Sequence, residues 1–87
     1  MIKDTDVFNI NFYKKEQFSG SYHRMRYRIA KKEEEDKKNL QVTIWPGPYN
    51  YATTAEELKQ RAEFAFSNEG LKEAVAYLNQ TYEAEYR

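Results

Sequence analysis

The sequence predicts an α+β fold: a three- or four-stranded antiparallel sheet with one face covered by a C-terminal helix. Three observations predict it. Apolar and polar residues alternate through 22–30 and again through 40–45, the period of a half-buried strand. Pro46-Gly47-Pro48 ends the second run abruptly, because proline lacks the N–H a sheet ladder needs. Leu71, Ala74, Val75, Leu78 and Tyr82 then recur at helical spacing, forming one apolar stripe. The 87 residues suit a single domain, 1–87, in the order β-β-β-(short helix)-β-α.

The first strand is expected at Val7–Tyr13, with Phe8, Ile10 and Phe12 facing one way and Asn9, Asn11 and Tyr13 the other. Lys14-Lys15-Glu16-Gln17 is a polar break, and Phe18-Ser19-Gly20-Ser21 reads as a glycine-bearing lead into the next strand. The second strand runs from Tyr22 to Ala30. Met25, Tyr27 and Ile29 share one side and Arg24, Arg26 and Arg28 the other, an arrangement a helix would scatter around its circumference. Eight charged residues follow in succession, Lys31 to Lys38. With no apolar anchor they read as a solvated hairpin loop.

The third strand, Leu40–Trp45, directs Leu40, Val42 and Ile44 inward. A short helical turn after Thr53 or Thr54 fits Glu56 and Glu57 at its positive end. Residues 61–66 fit a fourth strand with Phe64 and Phe66 inward; a continuous helix from Ala55 to Phe66 is the rival, since alanine and glutamate favour it. Ser67 is suited to cap a final helix from Asn68 to about Glu85. The expected core is Phe8, Ile10, Phe12, Met25, Tyr27, Ile29, Leu40, Val42, Ile44, Phe64, Phe66, Leu71, Val75 and Leu78.

Fourteen basic and fourteen acidic residues cancel, but unevenly. Residues 1–32 hold eight Lys/Arg against three Asp/Glu, a balance of +5; residues 33–87 hold six against eleven, a balance of −5. With no cysteine, disulfides and thiolate chemistry are excluded. No run approaches the roughly 18 apolar residues of a membrane span, and the expected location is cytoplasmic, away from membranes. Three glycines form no phosphate-binding pattern. His23 is the only histidine and has no acid–base partner at a fixed spacing. The acidic run at 33–36 lacks the alternation and turn glycine of a calcium loop. No catalytic residue, cofactor or metal site is therefore expected.

What remains is surface. Tyr22, Arg24, Arg26, Arg28 and Trp45 are expected on the outward face of the sheet, beside a rigid turn carrying Tyr49 and Tyr51. Tyr, Trp and Arg are the residue types enriched where proteins bind one another. A plain solvated face, with Tyr49 and Tyr51 covering the end of the core, is the alternative. The expected function is a non-catalytic protein-interaction or accessory module, bound to a protein partner or to a second copy of itself. Weak binding of single-stranded nucleic acid through the same face is the other function reading, against which the zero net charge stands.

Several segments carry a resemblance. Phe18 to Tyr22, Met25-Arg26-Tyr27, Val42 to Tyr49, Phe64 to Leu71, and Ala74 with Leu78-Asn79 resemble small uncharacterised proteins of gut-dwelling Gram-positive bacteria, often encoded near mobile elements. The resemblance spans residues 12–82 and implies a bacterial accessory or regulatory protein. Some of those proteins carry acetyltransferase-like labels, but this chain has no glycine-rich acyl-CoA loop and transfers no catalytic residue from them. Ala55 stands where their pattern has proline.

Overall fold

The computed structural model describes residue 2 and residues 10–47 and 49–86. Four strands, β1 (Phe18–Tyr22), β2 (Met25–Glu34), β3 (Lys37–Pro46) and β4 (Gln60–Ala65), precede one helix, α1 (Asn68–Thr81). The strands form one antiparallel sheet in sequence order, β1-β2-β3-β4. This is the expected α+β architecture with four strands, and the apolar stripe of α1 covers one face. Leu71, Ala74, Val75 and Leu78 from the helix join Met25, Tyr27, Ile29, Leu40, Val42 and Ile44 from the sheet in one buried cluster.

The first strand is not where period-two alternation put it. Residues 7–9, and with them Phe8 and Asn9, lie outside the described residues. Phe12–Lys14 is a single 3₁₀ turn, held by Tyr13 N–H donating to the Ile10 carbonyl at 3.1 Å and Glu16 N–H to the Phe12 carbonyl at 3.1 Å. A strand would have sent neighbouring Phe12 and Tyr13 to opposite faces. The turn brings both to the core: Tyr13 is 1% exposed and Phe12 packs edge-on against it, ring centres 5.1 Å apart.

The first strand among the described residues is the segment expected to be a glycine-bearing lead into the next strand. Gly20 pairs with Tyr27, and a Cβ at residue 20 would stand 2.7 Å from the Tyr27 hydroxyl. Glycine is needed there so that the Tyr27 ring can lie across β1. β1 passes to β2 through His23 and Arg24, and the positive φ of His23, 55°, is the geometry a two-residue hairpin turn demands at its first position.

The charged run is also more ordered than a loop. β2 and β3 remain paired out to Glu34 opposite Lys37, with Glu33 opposite Lys38, leaving only Glu35 and Asp36 as the turn. Opposite charges facing across the ladder favour this extension. The fourth strand prevails over the rival helix because Gln60, Ala62 and Phe64 alternate toward α1 while β4 completes its ladder on β3. It ends at Ala65, so Phe66 packs on the core from the bend beyond it. The short helix is one 3₁₀ turn, Glu56–Leu58.

Ser67 caps α1 as expected, its hydroxyl accepting from Gly70 N–H at 3.0 Å. Gly70 has a second reason to be glycine: a Cβ there would fall 1.9 Å from the Ala65 carbonyl oxygen. The helix thus starts against the end of β4 at a distance no other residue permits. A π-helical turn, Tyr82–Tyr86, follows α1. The Asn79 side chain brackets the backbone of Ile2, accepting from its N–H at 2.9 Å and donating to its carbonyl at 2.8 Å. Among the described residues no helix is long and apolar enough to cross a membrane.

Candidate functional site: the outer face of the sheet

With α1 on the inner face, alternation along β2, β3 and β4 sets the outer face. Three cross-strand rows follow from the register: Arg26 beside Trp45, Arg28 beside Thr43 beside Arg61, and Ala30 beside Gln41 beside Glu63. Ser19 and Ser21 of β1 extend these rows next to Arg28 and Arg26.

The loop from β3 to β4 does not stand clear of this face; it folds back over it. Trp45 points outward yet is only 5% exposed, and Thr43 beneath the same loop is 3% exposed. The Trp45 indole N–H donates to the Tyr49 carbonyl at 2.9 Å, and the Tyr51 ring meets Trp45 edge to face at 5.4 Å. Asn50 shapes the loop by accepting from Thr53 N–H and the Thr53 hydroxyl, both at 2.8 Å, while its carbonyl accepts from the Thr54 hydroxyl at 2.6 Å.

Tyr51 is the hub. The Arg28 guanidinium lies 3.9 Å from its ring centre and the Lys59 ammonium 4.0 Å from it. Arg61 Nη2 donates to its hydroxyl at 3.4 Å. The Arg61 hydrogen bond, and then the charges of Arg61, Lys59 and Arg28, hold the hydroxyl below the usual tyrosine range, against an opposing effect of burial. Glu56 is the carboxylate of this group, 2.7 Å from Arg61 and 3.1 Å from Lys59. Hydrogen bonds from Arg61 and then Lys59 lower its pKa. Glu56 in turn holds the Arg61 guanidinium firmly protonated.

The sequence candidates are thus only partly brought together. Arg26, Arg28, Trp45 and Tyr51 share one end of the outer face. Tyr49 sits on the covering loop, 54% exposed, so the loop covers the outer face and not the end of the core. Tyr22 belongs to the other side: it faces inward opposite Met25 and packs edge-on against Tyr82 at 4.7 Å. The turn removes it from the face because Tyr22 closes β1 instead of opening β2. Arg24 lies in that turn, exposed, its carbonyl accepting from Gly47 N–H at 2.7 Å, and it lines a hollow shared with Glu85. It does not continue the row of Arg26 and Arg28. Tyr13, expected outward, is buried in the core.

Three contributors escaped the sequence reading. Lys59 and Arg61 carry charge from the acidic half of the chain onto the same end, and Glu56 comes with them. Their signal was present in the period-two spacing of Lys59 and Arg61 across the start of β4. The charge asymmetry along the chain is therefore not the asymmetry in space.

The opposite end of the outer face is neutralised within itself. Lys32 lies 3.1 Å from Glu63 and 3.2 Å from Glu34, and Asn39 Nδ2 donates to Glu63 at 3.3 Å. The Glu63 and Glu34 contacts raise the Lys32 pKa. At the Tyr51 end, by contrast, neither Arg26 nor Arg28 has an ion pair among the described residues, and Arg28 Nε is buried without a hydrogen-bond partner. No protein-family model matches the chain, and neither does any curated protein or solved structure compared with it.

Proposed function

We propose that this protein is a non-catalytic interaction module whose outer sheet face holds an acidic segment of a protein partner. The observation that carries this reading is the charge imbalance at the Tyr51 end. Arg26, Arg28, Lys59 and Arg61 gather there, and Glu56 is the one carboxylate within ion-pair distance of any of them among the described residues. The Lys59 side chain is buried beside Glu56 and the Tyr51 ring, so the charge that faces outward is that of half-buried Arg26 and exposed Arg61. A carboxylate-rich segment would pair with the Arg26 guanidinium, which has no ion pair among the described residues.

The aromatic side chains favour a protein over a single-stranded nucleic acid. Base binding needs exposed ring faces. Trp45 is buried and Tyr51 is occupied by two cations, so of these three aromatics Tyr49 alone is exposed, one ring where a strand of bases stacks on several.

Fluorescence anisotropy with a labelled oligoglutamate peptide tests the reading. Binding is expected at low salt, weakening as salt rises, and falling about tenfold in the Arg26→Ala/Arg28→Ala double variant. Tighter binding of an oligothymidylate of equal charge would overturn it.

A further inference from the structure

Among the described residues the β1 edge of the sheet, on the Arg26 and Arg28 side of this cationic end, is open, and its chemistry fits an extended chain. β1 carries no charge and no proline, Phe18-Ser19-Gly20-Ser21-Tyr22, although exposed edges are normally blunted by such residues. A two-residue turn closes on a hydrogen-bonded pair, here Tyr22 with Met25. Hydrogen-bonded pairs alternate along an antiparallel ladder, so Gly20 and Phe18 also direct their backbone groups to β2. Ser19 and Ser21 therefore turn their N–H and C=O groups away from the sheet. Among the described residues nothing accepts from or donates to those groups. Their side chains stand on the outer face next to Arg28 and Arg26, around a groove of about 240 Å³ that Trp45 floors.

We propose that the acidic segment binds by strand addition: it pairs with β1 through the backbone of Ser19 and Ser21 as a fifth strand. Its outward side chains then lie beside the two serines, within reach of the Arg26 guanidinium on the next strand, and are carboxylates. Its inward side chains lie beside Phe18 and Tyr22, both half-buried against the core, and are apolar. The partner is accordingly an extended segment of alternating acidic and apolar residues. Backbone pairing gives affinity and alternate side chains give selectivity.

This rests on the acidic-partner reading, and the test separates the two. The probe is a labelled peptide of alternating Glu and Val, compared with the same peptide N-methylated at every second residue, which keeps its charge and removes its strand-pairing N–H groups. The unmodified peptide is expected to bind about tenfold or more tightly than the methylated one, and to slow hydrogen exchange at the Ser19 and Ser21 amides. Ser21→Pro removes an edge N–H while leaving the β1–β2 ladder intact; it should bind the two peptides equally weakly. Equal binding of both peptides by the unaltered protein overturns strand addition while leaving the acidic reading standing. Failure of both to bind overturns the acidic reading as well. A dimer in sedimentation that Ser21→Pro converts to a monomer would show the edge taken by a second copy, and would overturn the assignment to an acidic partner. The peptide comparison on the unaltered protein decides the matter even if Ser21→Pro does not fold.

Discussion

The two ends of the outer sheet face are built from the same residue types and end in opposite states. At the hairpin end, Lys32 sits between Glu34 and Glu63; the charges cancel locally and project little field. At the loop end, Arg28 and Lys59 each lie about 4 Å from the Tyr51 ring centre and Arg61 reaches its hydroxyl. An aromatic ring attracts cations without neutralising them. The first end is finished within the chain; the second is left with charge to spend on something else. The comparison also explains the burial of Trp45. Its ring anchors the returning loop, and the loop delivers Tyr51, Glu56 and Lys59 to the face.

The largest break in this comparison is Trp45→Ala. It removes a buried aromatic and the loop's indole hydrogen bond, and should cost about 3 kcal/mol, read by urea denaturation. Oligoglutamate binding should fall with it, because Tyr51 and Lys59 lose their support. Glu56→Gln works in the other direction. It deletes the paired carboxylate of the cationic end, and acidic-peptide affinity should rise about threefold; an unchanged affinity would mean Glu56 does not compete with the partner. Lys32→Ala at the finished end should leave peptide binding unchanged and shift stability by less than about 1 kcal/mol, the scale of exposed ion pairs.

The smallest effect is alkaline. The folded protein lowers the Tyr51 pKa, so its ionisation adds stability. That contribution is fully present above the unfolded tyrosine value and is lost as pH falls through the lower folded value. A pH series of melting curves should show this alkaline gain, and Tyr51→Phe should abolish it.

How much of this was legible depended on whether a residue's role was local. The α1 stripe, the Ser67 cap and the inward set of β3 follow from spacing alone, and each is found where spacing put it. β1 was illegible because Ser-Gly-Ser has the composition of a turn, and its strand role comes from Tyr27, seven residues on, needing the room that Gly20 leaves. Phe12 and Tyr13 misled in the opposite way: alternation suggested a strand where a turn buries both. Arg26, Arg28 and Trp45 were legible as an outward row. Tyr22 was not, because one hairpin turn moved it to β1 and inverted its face. Lys59 and Arg61 lie fourteen and sixteen residues beyond Trp45, and only the return of the loop places them beside it.

The most direct measurement is an amide and side-chain NMR map of the protein titrated with the alternating Glu–Val peptide. Shifts are expected to concentrate at Ser19, Ser21, Arg26 and Arg28, with Lys32, Asn39 and Glu63 unmoved. Shifts centred on the Lys32–Glu63 end, or on the exposed side of α1, would contradict it.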